Sequence, residues 1–186
     1  MTQTALHPDV QTLLFSEAEL QARIRALGRQ ISEDYAGKTP LLVGILKGSV
    51  HFFSDLAKSV TVDAAYDFLR ASSYADGTES SGTVRLTCDM ETDVTGRDVL
   101  LVDDIIDSGL TLRSLSELLR ARGAKSVRLC VLLDKPERRS ADISADYVGF
   151  VIPNHFVIGY GLDYCQRYRN LPYIGILKPE KYSSSL

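Results

Sequence analysis

The chain has 186 residues, 45% of them hydrophobic, which is enough apolar material for one ordinary globular domain and argues against two. Its 21 basic and 24 acidic side chains leave a net charge of −3, so the balance favours neither nucleic acid nor an anionic membrane as a partner. Three widely separated cysteines, without CxxC or CxxH spacing, argue against a disulfide framework or a zinc site. No basic targeting region or membrane-length apolar run is present, so we expect a cytoplasmic protein with a single domain, residues 1–186.

The first half of the chain predicts a helix and then a strand that leads into a second helix. Ser16 and Glu19 form a capping box before apolar residues at three- and four-residue steps, which predicts an amphipathic helix ending near Gly37. The run PLLVGIL, 40–46, predicts a buried strand, and KGSVHFFSDLAKS turns directly into a short helix. The apolar residues of VTVDAAYDFLRASS predict a strand that reaches about residue 73. The polar YADGTESSG of 74–82 predicts a mobile surface loop.

The second half predicts further strands around one more helix. TVRLTC alternates as a half-exposed strand would, and residues 99–102 predict a buried strand. A helix over 112–122 ends before Gly123 and is followed by the strand SVRLCVLL. This βαβ order predicts parallel strands in an α/β sheet, with ligands at the carboxyl ends of the strands. DYVGFVI and YIGIL predict later short strands, and the C-terminal third predicts an appended lobe.

Polar residues follow three of the predicted strands. Because the strands are parallel, their carboxyl ends lie along the same edge of the sheet. Lys47 and Gly48 follow the first, and Lys135 follows SVRLCVLL. After residues 99–102 come three acids within DDIID, and then SGLT at the start of a helix. Backbone N–H groups and hydroxyls at a helix start can hold a phosphate, while acids accept hydrogen bonds from sugar hydroxyls or hold a metal ion. We therefore predict a sugar phosphate as the ligand.

A structural explanation of these acids is that they only offset the helix dipole and cap the helix. Three like charges crowded at one strand end cost stability unless something binds there, and this favours a ligand site.

The stretch VLLVDDIIDSGLTL, 99–112, resembles the phosphoribosyl diphosphate (PRPP) signature of the type I phosphoribosyltransferases. With LLVGILKGSVHFFSDL, the SSY before the polar loop, LLDKPERR and FVIGYGLDYCQRYRNLPYIG, it resembles the hypoxanthine (6-oxopurine) branch of that family. The resemblance extends from about residue 10 to 177. It implies an α/β fold with a mostly parallel central sheet flanked by helices, and a small hood lobe contributed by the C-terminal and N-terminal segments.

The resemblance implies roles for the signature residues. Asp103 and Asp104 correspond to the acidic pair that contacts the ribose hydroxyls and the Mg²⁺ of PRPP, and Asp103 stands where relatives commonly have glutamate. Asp107 corresponds to the proposed general base or acid at purine N7. The implied 5′-phosphate loop consists of Asp107, Ser108, Gly109, the backbone of Leu110, and Thr111.

The resemblance also implies how pyrophosphate is held. Lys47 and Gly48 match a loop in which the family has a non-proline cis peptide. Arg169 corresponds to the arginine that neutralises the leaving pyrophosphate; only the alignment sets it above its neighbour Arg167.

For the purine, Lys135 corresponds to the lysine that donates to the exocyclic O6 and so favours 6-oxopurines over adenine. Phe156 is implied to stack on the base, Val157 to pair with it through the backbone, and Asp163 to hold a second magnesium. The implied metal ligands are Asp103, Asp104 and Asp163.

The implied reaction transfers the phosphoribosyl group of PRPP to hypoxanthine or guanine and releases pyrophosphate. Ser73 and Tyr74, which open the polar loop, correspond to the dipeptide that closes over the reaction centre and excludes water. Family members suggest a homodimer or homotetramer.

Two alternatives remain open from the sequence. One is a regulatory member of the same fold that binds PRPP or nucleotides and an RNA, for which a basic face would be expected. The other is an enzyme for another base, such as xanthine or uracil. Lys135 and Phe156 favour a 6-oxopurine but leave guanine and hypoxanthine equally possible.

Overall fold

The computed structural model describes residues 6–73 and 84–182, so the loop predicted over 74–82 lies outside the described residues. The described chain folds into two β-sheets and three α-helices. In chain order the elements are β1 (Val10–Phe15), α1 (Glu17–Asp34), β2 (Leu41–Ile45), α2 (Val50–Ser59), β3 (Ala65–Ser73), β4 (Val84–Cys88), β5 (Asp98–Ile106), α3 (Leu110–Ala121), β6 (Ser126–Asp134), β7 (Tyr147–Val151), β8 (Val157–Ile158) and β9 (Ile174–Leu177).

The larger sheet has six strands in the order β4-β3-β2-β5-β6-β7, and all neighbouring pairs are parallel except β3 and β4. Alternate residues of β5 face opposite sides of it. Leu100 and Val102 join the cluster that contains α1 and α2, whereas Val99 and Leu101 join the cluster that contains α3. The predicted α/β class, with a mostly parallel sheet between helices, is confirmed.

The first two helices follow their sequence signals closely. Ser16 and Glu19 form the predicted capping box, with the Ser16 N–H donating to the Glu19 carboxylate over 2.8 Å. Leu20 and Ile24 are buried along the apolar stripe, and α1 ends at Asp34, slightly before the predicted Gly37. In α2, Phe52 points inward as expected. None of the helices in the described ranges is long and apolar enough to cross a membrane.

One boundary in the centre of the sheet was predicted wrongly. We expected a strand over 99–102 followed by an acidic loop, but β5 continues to Ile106 and α3 begins at Leu110 rather than at 112. The ladder with β6 pairs Asp103 with Val131 and Ile105 with Leu133. Main-chain pairing with a neighbouring strand continues where the side chains turn polar, because the ladder is made by the backbone. The first two acids therefore lie on a strand.

The second sheet is antiparallel, in the order β1-β9-β8. We call this sheet, with residues 159–173 that connect β8 to β9 and the flanking residues Phe156 and Tyr182, the hood. It combines N-terminal and C-terminal segments, as the family resemblance implied. β1 was not predicted as a strand. Only Val10 of its six residues is buried, and its pairing with β9 makes it a strand.

Candidate active site

One cavity at the carboxyl edge of the larger sheet contains both the acids and the predicted phosphate loop. It has a volume of about 200 Å³ and is lined by residues 103–109 with Thr111 and Leu112. The end of β5 supplies the acids, and the turn into α3 supplies the loop. Carboxylates and a helix start therefore face the same space, as expected for a ligand with hydroxyls at one end and a phosphate at the other.

The acidic pair is electrostatically unfavourable without a ligand. Asp103 and Asp104 are adjacent on β5, and the Asp104 N–H donates to Asp103 Oδ1 over 2.9 Å. Burial raises the pKa of both carboxyls, and the charge of Asp104 raises that of Asp103 further. Hydroxyl donors or a cation in the cavity would compensate this unfavourable charge.

Gly48 lies between the acidic pair and the hood, where no side chain fits. A Cβ placed on Gly48 would lie 1.7 Å from Oδ2 of Asp104. On the hood side, Gly161 has φ +100°, and a Cβ there would lie 1.9 Å from the carbonyl oxygen of Gly48. Glycine at both positions lets the backbone of Gly48 approach the Asp104 carboxylate on one side and the backbone of Gly161 on the other.

The loop that begins α3 leaves its amide donors available. Gly109 has φ +82°, a left-handed conformation that glycine adopts readily, and no side chain caps the helix. The Leu110 N–H makes only a long hydrogen bond of 3.4 Å to Ser108 Oγ. Amides at a helix start that lack a cap are suited to bind an anion.

Asp107 lies between two cationic side chains. Its Oδ1 is buried and lies 2.7 Å from Nε of Arg138, although no donor is aligned on it for a hydrogen bond. Lys135 is 8% exposed, and its backbone N–H donates to the Ile106 carbonyl over 3.0 Å. Burial lowers the pKa of the Lys135 ammonium, whereas the charge of Asp107 opposes that shift. The expected purine lysine and the expected proton-transfer acid are therefore electrostatically coupled.

Arg169 faces inward, toward the acids. Its Nη2 lies 2.6 Å from Oδ1 of Asp163, and its Nη1 donates to the Gly161 carbonyl over 2.6 Å. Its charge also lowers the pKa of Asp104, although burial of that carboxyl acts more strongly in the opposite direction. Arg167 instead lies exposed over the ring of Tyr168. The geometry therefore favours Arg169 over Arg167 as the arginine of the site.

The expected base-stacking residue belongs to an aromatic group in the hood. Phe156 is 36% exposed and stacks on Tyr182 with ring centroids 5.0 Å apart. Tyr164 meets the Phe156 ring edge-on at 5.4 Å. Val157 is buried in β8 and pairs with β9. Phe156 thus presents part of its ring surface beside a fixed stretch of backbone.

Three predicted site residues remain, namely Lys47, Ser73 and Tyr74. The Lys47 side chain is exposed, and the peptide bond between Leu46 and Lys47 is cis. Ser73 is the last residue of β3, and Tyr74 lies outside the described residues.

The expected metal ligands do not form a protein-only metal site. In residues 6–73 and 84–182, no three His, Cys, Asp or Glu side chains gather around a common point. Asp103 and Asp104 nevertheless offer the hard oxygen donors that Mg²⁺ prefers. Mg²⁺ is commonly held by one or two carboxylates together with substrate phosphates and water, so the acids present fit Mg²⁺ bound with its substrate.

Two features of the site were missed in the sequence. Gly161, the second glycine of FVIGYG, has its close contact with Gly48 only in the folded chain. Arg138 and Arg139, in the quoted motif LLDKPERR, were given no role, yet both contact Asp107. The sequence signal was the pair of arginines three and four positions after Lys135, the lysine expected to contact the purine.

Residues 13–165 match the family model described as a phosphoribosyl transferase domain, and the chain belongs to this family. Among its relatives, a hypoxanthine-guanine phosphoribosyltransferase of Bacillus subtilis is 51% identical over 95% of this chain and 98% of its own length. A crystal structure of a hypoxanthine phosphoribosyltransferase from Staphylococcus aureus superposes with a TM-score of 0.93 at 48% identity, covering 98% of this chain and 99% of that one. The resemblance to the hypoxanthine branch is confirmed.

A bifunctional protein TilS/HprT of Listeria monocytogenes is 57% identical over 96% of this chain. The chain spans only 28% of the length of that relative.

Proposed function

We propose that this chain transfers the 5-phosphoribosyl group of PRPP to N9 of hypoxanthine or guanine, giving IMP or GMP and pyrophosphate. The observation that carries the proposal is that one cavity is lined both by the acids of β5 and by the start of α3. The names of relatives that align over their whole length, including the Bacillus subtilis protein, support the same reaction.

Asp103 and Asp104 accept hydrogen bonds from the ribose hydroxyls of PRPP in this proposal. The amides of residues 108–111, with the hydroxyls of Ser108 and Thr111, hold the 5′-phosphate. These two interactions fix both ends of the sugar and leave C1 facing the hood, where the purine and pyrophosphate would meet it.

At the leaving group, Lys47, the backbone of Gly48 and Arg169 offset the charge that develops on pyrophosphate. Asp103, Asp104 and Asp163 would hold Mg²⁺ together with substrate oxygens. When bound, Mg²⁺ supplies further positive charge at the pyrophosphate. Departure of pyrophosphate leaves C1 with oxocarbenium character, by analogy with glycosyl transfer.

At the purine, Phe156 stacks on the ring and the backbone of Val157 pairs with its edge. The buried ammonium of Lys135 donates to O6. A 6-amino group would leave that donor facing another donor, so adenine is disfavoured. Asp107 acts as the general base or acid for the proton at N7 as N9 attacks C1.

A base panel tests this reaction directly. We expect turnover of PRPP with Mg²⁺ and hypoxanthine or guanine, followed by spectrophotometry, slower or absent turnover with xanthine, and none with adenine or uracil. Chelation of Mg²⁺ by EDTA should stop the reaction, and added Mg²⁺ should restore it. Absence of turnover with every purine would refute the enzymatic proposal.

Replacement of Asp107 by asparagine tests the proton step. We expect Asp107→Asn to lower kcat about 100-fold or more, with only a small change in the KM for PRPP. The matched control is Asp89→Asn, because Asp89 pairs with Arg122 at the other end of α3. Full turnover by Asp107→Asn would remove Asp107 from proton transfer.

We also propose that the protein acts in the cytoplasm, and as a homodimer or homotetramer. Sedimentation velocity of the purified protein would measure the assembly, and a monomer at micromolar concentration would contradict it.

A further inference from the structure

The motif LLDKPERR ends in two arginines, of which the second is largely withdrawn from solvent. The side chain of Arg139 is 16% exposed. The proposed reaction assigns a role to Lys135 in this motif but none to Arg139. A guanidinium that is mostly buried needs its donors satisfied, so its contacts indicate what it does.

The guanidinium of Arg139 joins three separate stretches of the chain. Its Nε donates to the Asp107 carbonyl over 3.1 Å, and its Nη1 donates to the Ile143 carbonyl over 2.7 Å. Its Nη2 donates to the carboxylate of Asp134, the last residue of β6. The three nitrogens of the planar guanidinium reach acceptors on these separate stretches, whereas the three donors of a lysine ammonium all diverge from a single nitrogen.

Residues 139–143 pack directly against the phosphate loop. The backbone N–H groups of Ser140 and Ala141 both donate to the Ser108 carbonyl, each over 3.0 Å. A Cβ placed on Gly109 would lie 2.9 Å from Cδ of Arg139 and 2.7 Å from Cγ2 of Ile143. The arginine therefore contacts the loop through a hydrogen bond before Ser108 and through packing at Gly109.

Each of its three nitrogens already donates to Asp134 or to a backbone carbonyl, so the guanidinium of Arg139 is directed at the protein rather than at the substrate phosphate. We propose that Arg139 is a positioning residue: it fixes the loop of residues 107–111 so that its amides point at the 5′-phosphate. This inference rests on the proposed function, in which that loop binds the 5′-phosphate of the nucleotide.

The test is the variant Arg139→Lys, with Arg122→Lys as the matched control. Arg122 also forms a bidentate ion pair with a carboxylate, that of Asp89, but it lies at the C-terminal cap of α3, away from the phosphate loop. We expect Arg139→Lys to raise the Kd for IMP, measured by calorimetry, about tenfold. The KM for hypoxanthine should stay within about twofold of wild type, because the base contacts are not altered. Arg122→Lys should leave both constants unchanged.

Two further variants keep the outcome decisive. Thr111→Ala tests the loop itself: if its Kd for IMP equals that of wild type, the proposed phosphate site fails, whatever Arg139 does. If Thr111→Ala weakens IMP binding but Arg139→Lys does not, the positioning role is refuted. If Arg139→Lys folds poorly, Asp134→Asn is the second variant, because it keeps the arginine and weakens only its charged contact. A selective rise of about threefold in the Kd for IMP would support the positioning role. An unchanged Kd would refute it.

Discussion

The two halves of the candidate site are built in different ways. The core half, residues 103–111, lies on β5, which pairs with β2 on one side and β6 on the other, and on the first turn of α3. The hood half, residues 156–169, contains a strand of only two residues. Four non-glycine residues of this half have positive φ, namely Tyr160, Cys165, Gln166 and Tyr168. Backbone ladders thus position the core half, whereas the hood half has few of them.

Side-chain hydrogen bonds connect the hood to the helices of the core. The hydroxyl of Tyr160 donates to Asp55 of α2 over 2.5 Å, and Gln21 of α1 donates to the same carboxylate over 2.6 Å. Near the termini, Asp9 accepts from Tyr168 over 2.8 Å and pairs with Lys181 at 2.8 Å. Single side-chain changes should therefore shift the hood gradually, whereas changes where the halves meet should disrupt the site abruptly.

The largest effect is expected at that meeting point, with Gly48→Ala. The added methyl would overlap Oδ2 of Asp104, so either the carboxylate or the backbone of residues 47–49 must move. A displacement of about 1 Å in a site costs about 100-fold in activity. We expect kcat/KM for PRPP to fall by about that factor or more in steady-state assays, while circular dichroism shows a folded protein.

Gly96→Ala is the control for Gly48→Ala. No heavy atom lies within 4 Å of a Cβ at Gly96, although its φ of +70° disfavours alanine. It should lower stability by about 1 kcal/mol and leave kcat/KM unchanged. If Gly48→Ala keeps wild-type kcat/KM, the two halves do not meet as tightly as the structure indicates.

The core half was largely predictable from the sequence because its signals are local. The apolar run before Asp103, the Ser-Gly-x-Thr loop and the leucine spacing of α3 all fall within one short stretch. The end of β5 and the start of α3 were misplaced; side-chain polarity suggested a longer loop, although the backbone still pairs with β6 to residue 106 and α3 begins at Leu110. The adjacency of acids and phosphate loop needed no information from distant parts of the chain.

The hood half could not be predicted from local pattern, because its contacts join distant residues. Tyr160 and Asp55 are 105 positions apart, and Tyr168 and Asp9 are 159 apart. β1 was not recognised at all, since its pairing with β9 defines it. The family resemblance, rather than periodicity or spacing, supplied Phe156 and Arg169 as site residues.

A moderate effect is expected when the tie between Asp55 and Tyr160 is weakened by Asp55→Asn. The asparagine still accepts from Tyr160 but loses the ion pair with Lys58 and the negative charge that strengthens the hydrogen bond from Gln21. We expect the free energy of unfolding at pH 7 to fall by about 1 to 2 kcal/mol, measured in urea. The KM for hypoxanthine should rise about threefold because the hood carries the base contacts.

This loss should depend on pH in a defined direction. Burial opposes ionisation of Asp55, but hydrogen bonds from Lys58, Tyr160 and Gln21 outweigh it and hold the pKa below the ordinary value of 3.8. A depressed carboxyl pKa stabilises the fold above the unfolded value, and this stability is lost as the pH falls through the folded value. The gap between wild type and Asp55→Asn should therefore be full near pH 7 and narrow below about pH 4. A gap that widens in acid would contradict this account.

The smallest effect is expected at the outer edge of the hood, with Tyr182→Leu. Tyr182 stacks on Phe156 with an interplanar angle of 21° and so supports the ring that is proposed to hold the purine. An aromatic pair contributes about 0.5 to 1.5 kcal/mol beyond its buried area. Because Tyr182 is only partly buried, we expect the lower end of that range, a rise of about twofold to threefold in the KM for hypoxanthine. The KM for PRPP should not change, since the core half holds the sugar phosphate. Tyr182→Phe keeps the stacked ring and should behave as wild type; if it is impaired as much as Tyr182→Leu, the hydroxyl rather than the stack supports Phe156.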